Sequence, residues 1–87
     1  MTTREITSRE DIRMAFEGYI GSFTGSDCHM EREQLEEVVR EDLERDRKEA
    51  DELDLEREYT WRDSQMSWIV GVVADEIEEM WESEEEK

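Results

Sequence analysis

Cys28 and His29 stand side by side after Asp27, and they are the chain's one cysteine and one histidine. A thiol at the positive end of a helix can have its pKa lowered and become a nucleophile. A metal site needs three or four ligands, and no second Cys or His exists to supply them, short of a symmetric dimer that pools two pairs. The plainer reading is that Asp27 caps a helix and its two neighbours are incidental. Carboxylate pairs such as Glu36/Glu37 and Glu78/Glu79 are abundant. Acid–base catalysis needs two such groups in different environments around a cleft, and nothing in the pattern suggests a cleft. "GSFTGSD" carries glycines and hydroxyls but lacks the lysine and spacing of a phosphate-binding loop, and no calcium loop or nucleophile motif occurs. The sequence therefore predicts no enzyme, no metal and no cofactor.

What remains is the carboxylates as a surface. The net charge is −17 over 87 residues, and all but −2 of it falls after residue 27. Such a field repels DNA, RNA and anionic lipid. It favours a basic partner or a salty environment. On a helix, residues three and four apart have Cβ atoms about 5–6 Å apart, while phosphates along a DNA strand advance about 3.4 Å along the axis. Rows of Glu and Asp on a rigid helix can thus imitate a phosphate ladder. Asp75, Glu78, Glu79, Glu82 and Glu86 fall opposite the apolar stripe of the last helical segment, with Asp63 on the same broad face and few bases nearby. Glu37 and Glu41 are the corresponding candidates in the middle segment, where acids are expected to be partly paired internally.

Three helical segments would position these groups: roughly 8–22, 27–54 and 60–83. The first opens at "TSRED", where Thr7 or Ser8 can cap and Glu10 or Asp11 can answer. Ile12, Ala15, Phe16, Tyr19, Ile20 and Phe23 then share a face. Gly18 weakens that helix and suggests close packing. The second opens at Ser26 or Asp27. It carries a short stripe of Leu35, Val38, Val39 and Leu43, and i,i+4 pairs Glu36–Arg40, Glu41–Arg45 and Glu44–Lys48, each contributing about 0.2–0.5 kcal/mol. The third opens at "TWRD", a capping-box pattern of Thr60 and Asp63. Met66, Ile69, Val70, Val73, Ala74, Ile77, Met80 and Trp81 give it the strongest stripe in the chain. Trp61, Trp68 and Val72 fall on nearly the opposite side, so this helix is central or makes a second contact. "SWIVGVV" is β-rich in composition, but the unbroken 3.6-residue period favours helix.

The sequence predicts an all-α, three-helix single domain, the third helix central, with residues 1–6 and 84–87 frayed and a homodimer open. Leu, Ile, Val and Phe make up 16 of 87 residues, in the disorder-prone range for this charge. The regular stripes argue against disorder and for a thin core. One cysteine excludes an internal disulfide. No apolar run reaches membrane-spanning length and no signal-peptide pattern is present, which points to the cytoplasm.

In charge, size and helical pattern the chain resembles the small acidic inhibitors of mobile elements that block restriction, CRISPR or repair enzymes, although no motif is matched. The resemblance implies a basic nucleic-acid-binding protein as partner, the acids above as contacts, and Trp68 or Met14 as apolar anchor. Trp61 and Trp68, off the main stripe, divide between core and interface; Trp81 belongs to the core. The competing expectation is a halophile's acidic interaction protein, whose charge is solvent adaptation and whose contact face is Trp61, Trp68 and Val72. Its fit is imperfect, since Glu outnumbers Asp by 20 to 8.

Overall fold

A Ser and an Asp at the right spacing start the first helix. The computed structural model, which describes residues 4–24, 29–53 and 59–85, has the Asp11 N–H donating to Ser8 Oγ at 3.3 Å and the Ser8 N–H donating to the Asp11 carboxylate at 3.2 Å. Thr7 adds its own N–H and hydroxyl to the same carboxylate, both at 3.0 Å. These donors, Thr7 foremost, hold the Asp11 carboxyl below its ordinary pKa. The helix α1 runs Arg9–Ala15 and α2 runs Glu17–Gly21. The single helix expected over 8–22 is broken at Phe16 (φ −114°, ψ 18°). The break turns the Phe16 ring edge-on to Trp61, with centroids 5.4 Å apart. Gly18 does not serve close packing: a Cβ there would meet nothing within 4 Å.

The long helices are α3, Arg32–Leu53, and α4, Met66–Glu85. The helix expected to open at Ser26 or Asp27 starts at Arg32 instead, with residues 29–31 outside it; Ser26, Asp27 and Cys28 themselves lie outside the described residues. The start of α4 differs from the expected Thr60–Asp63 box. Thr60 instead lies in a strand, β2 (Tyr59–Thr60), paired in parallel with β1 (Arg4–Glu5). The Thr60 carbonyl accepts the Ile6 N–H at 3.0 Å, and the Gln65 side-chain amide donates to the Ile6 carbonyl at 2.8 Å. The helix start is displaced to Arg62, whose N–H donates to Gln65 Oε1 at 2.8 Å before a 3₁₀ turn over Asp63–Gln65. Residues 4–6, expected to fray, are thereby tied down, and Ile6 is fully buried. At the other end α4 continues through Glu85, past the expected 83.

The core sits around α4. Its stripe of Met66, Ile69, Val70, Val73, Ala74, Ile77 and Trp81 is buried, with Met80 partly so. Leu35, Val39 and Leu43 of α3 close one side, and Ile12 and Phe16 the other. Val72 is also buried, and Trp61 is buried against Phe16 at the α1–α2 bend, while Trp68, the third residue of the second apolar side, is exposed. The central third helix and the small all-α domain expected from periodicity are what the chain forms. The Trp81 indole N–H donates to the Phe23 carbonyl at 2.8 Å, and its ring lies 4.6 Å from that of His29. Trp61 belongs to the core, correcting its place among the partner-binding candidates.

Tyr19 adds a polar tie between α2 and α3, its hydroxyl donating to Asp42 at 2.5 Å. Burial, reinforced by the bond to the Asp42 carboxylate, raises the Tyr19 pKa far above that of a free phenol. A raised folded-state value means that the contribution to stability is complete below about pH 10, the unfolded value, and is lost as pH rises beyond it. Tyr19→Phe is expected to cost about 1–2 kcal/mol at pH 7, the worth of a hydrogen bond to a charged acceptor. It should also flatten the loss of stability above pH 10. Urea titrations at pH 7 and pH 10.5 check both, and equal alkaline losses in the two proteins would refute the assignment.

Candidate interaction surface

Seven of the nine arginines reach carboxylates or hydroxyls in the described residues, and most of those links run between elements. Helices α3 and α4 lie antiparallel, and Arg32, Arg40 and Arg47 reach across to α4 or the turn before it. Arg32 Nη1 donates to Asp75 at 2.8 Å and Glu78 at 2.6 Å, Nη2 to the Gly71 carbonyl at 3.2 Å, and Nε to Glu36 at 3.1 Å. Those carboxylates, Glu78 first, raise the guanidinium's pKa further. Arg40 donates to Ser67 Oγ at 3.3 Å, and Arg47 pairs with Asp63. On the opposite flank of α4, Arg9 and Arg13 meet Glu76 at 3.3 and 3.4 Å, and Arg9 lies 3.7 Å from Glu79. Arg62 pairs with Glu5 at 3.3 Å. The helix-local pairs expected within α3 are replaced: Glu36 is held by Arg32 rather than Arg40, and Arg45 pairs with Asp42 at 2.5 Å rather than Glu41.

This seam changes the status of the candidate acids. Asp75, Glu78 and Asp63 are pinned by arginines, against the expectation of few nearby bases. Asp63 sits at the α3 seam, away from the outward ridge of α4. Glu79 keeps a 65% exposed side chain with one distant cation, and Glu82 is exposed without a partner among the described residues. Glu86 lies outside the described residues. Glu37 and Glu41 are exposed on the outer face of α3, in a row with Glu33 and Glu44. From Glu33 to Glu44 is 11 steps along the helix, about 16 Å at 1.5 Å rise per residue. Sequence reasoning missed Glu33 and Glu44 as members of that row. Their signal was present, since all four positions fall on the side of the helix away from Leu35, Val39 and Leu43.

Trp68 is 40% exposed on α4, and Met14 is 56% exposed on α1. A groove of about 530 Å³ runs between α3 and the start of α4, where Arg40, Arg47 and Lys48 face Glu44, Asp51, Glu52 and Asp63. Its four carboxylates outnumber its three cations by one, and Arg47 is already paired with Asp63. Among the described residues, no group of three or more His, Cys, Asp or Glu is arranged to hold a metal ion, and no helix is long and apolar enough to cross a membrane. What the arrangement does chemically is present anions at fixed places on two rigid helices. Comparison with known protein families, curated proteins and solved structures finds no match.

Proposed function

We propose that the chain is an acidic nucleic-acid mimic that occupies the basic DNA- or RNA-binding surface of a cytoplasmic protein and blocks it. One observation carries the reading. Arginines are spent between elements, tying α1 and α3 to α4, while Glu33, Glu37, Glu41 and Glu44 on α3 and Glu79 and Glu82 on α4 face solvent. A disordered tail of equal charge would lose more conformational entropy on binding than carboxylates fixed on helices. Carboxylates meeting Lys and Arg supply the affinity and steer the encounter, so the on-rate falls as salt rises.

The test is capture on immobilised protein at low salt, followed by elution with duplex DNA at constant ionic strength. Targets of a mimic leave the resin when DNA competes for the same groove, and also between about 50 and 200 mM salt. Retention of no nucleic-acid-binding protein, or retention that DNA does not relieve, would sink the reading. The competing reading, a halophile's interaction protein, predicts a chain unfolded at low salt.

A further inference from the structure

The two acidic faces are not equivalent. The outward ridge of α4 opens with Trp68 and continues through Gly71 to Asp75, Glu79 and Glu82. Trp68 is 40% exposed, although large aromatics are the residues that most often anchor protein interfaces. One turn on, Gly71 has ordinary helical backbone, and a Cβ there would meet nothing within 4 Å. Neither its backbone conformation nor the packing around it therefore calls for a glycine, which weakens a helix interior. Its effect is a notch on the ridge beside the Trp68 indole. The α3 row of Glu33, Glu37, Glu41 and Glu44 has no such anchor.

We propose, on the footing of the mimic reading, that the Trp68–Gly71 end of this ridge is the docking site for a cationic partner segment. That segment carries an apolar side chain with Lys or Arg beyond it on one side, because Arg32 already lies against the Gly71 carbonyl and Glu79 and Glu82 stand about 12 and 16 Å further along α4. The apolar side chain seats in the Gly71 notch against Trp68, and the bases meet Glu79, Glu82 and the outer oxygens of Asp75. Charge decides the occupant. A second copy of this chain would lay its own Asp75, Glu79 and Glu82 near ours, and like charges within a Debye length repel. A basic partner reverses that sign.

Two labelled synthetic helices of equal length and charge serve as probes. One has Lys and Arg with leucines at i, i+3, i+4 and i+7; in the other, serines replace the leucines. Fluorescence anisotropy against the full chain should show the leucine peptide binding at least tenfold tighter. Trp68→Ala should abolish that preference while leaving the serine peptide within twofold. Gly71→Ala should weaken the leucine peptide several-fold while raising the melting temperature, a split that a merely structural glycine would not give. Glu37→Gln/Glu41→Gln should leave the preference intact. Equal binding of both peptides to the native chain overturns the docking site and spares the mimic reading. Binding of neither overturns both. Loss of helix content in Trp68→Ala, or unchanged peptide binding in Gly71→Ala, likewise overturns the docking site.

Discussion

Trp81→Ala is expected to unfold the protein at 25 °C. Removing a buried tryptophan costs about 3–5 kcal/mol through lost burial and the cavity left behind. Here the indole is only 6% exposed, and its N–H satisfies the Phe23 carbonyl. Stranding that buried acceptor adds about 1–3 kcal/mol. At about 0.05–0.15 kcal/mol per residue, a domain of this size holds roughly 4–13 kcal/mol in all, and self-repulsion places this one toward the lower end. The loss therefore equals or exceeds the reserve. Trp81→Phe separates the two contributions: it keeps an aromatic ring in the site and removes the donor, for a cost near the hydrogen-bond figure alone. Far-ultraviolet circular dichroism with urea titration reads both. A Trp81→Ala protein that still unfolds cooperatively within about 1 kcal/mol of the native chain would show that the C-terminal turns of α4 are not anchored this way.

Salt is expected to stabilise the fold by several kcal/mol between 0.01 M and 1 M. Two effects oppose each other. Screening weakens the arginine links, but exposed pairs are each worth only about 0–1 kcal/mol. Screening also relieves the repulsion of a net charge of −17, most of it on the described residues, within extents of 41 × 21 × 21 Å. At 0.01 M the Debye length is about 30 Å, so nearly all those charges feel one another; at 1 M it is about 3 Å and only neighbours do. The unfolded chain spreads the same charge over about twice the radius and gains less from screening. The melting temperature should therefore climb steadily with sodium chloride. A falling melting temperature would mean that the arginine seam outweighs the repulsion. A chain that is helical only in molar salt would remove the basis for mimicry in an ordinary cytoplasm.

The helices were legible because burial on one side imposes a period, and α4 carries that period without interruption from Met66 to Trp81. The same signal placed Trp81 in the core. It could not place Trp61, which precedes the helix and is buried by the bend at Phe16 rather than by any stripe. The bend itself leaves no mark in the apolar spacing, since Phe16, Tyr19 and Phe23 keep their order on either side of it. Two-residue strands are too short for alternation to show, so the Arg4–Glu5 and Tyr59–Thr60 pairing was invisible, and with it the displacement of the α4 start to Arg62. The ion pairs failed for another reason. An i,i+4 rule counts neighbours on one helix, whereas Arg32 chose Asp75 and Glu78 on another helix as well as Glu36 on its own. That choice is what moves Asp75 and Glu78 from free surface acids to half-neutralised ones.

The short pairing of β1 with β2 has a mechanical consequence. Because Ile6 grips Thr60 and Gln65 at once, residues 4–6 act as a clasp on the entry to α4, closing a ring of chain that contains α1, α2 and α3. Opening the clasp costs only a few hydrogen bonds and one isoleucine's burial, yet it loosens the base on which Trp68 and the acidic ridge are mounted. A bulky fusion ahead of Arg4, or removal of residues 4–6, would therefore be felt at the Trp68 end of α4, and affinity tags belong at the C-terminal end.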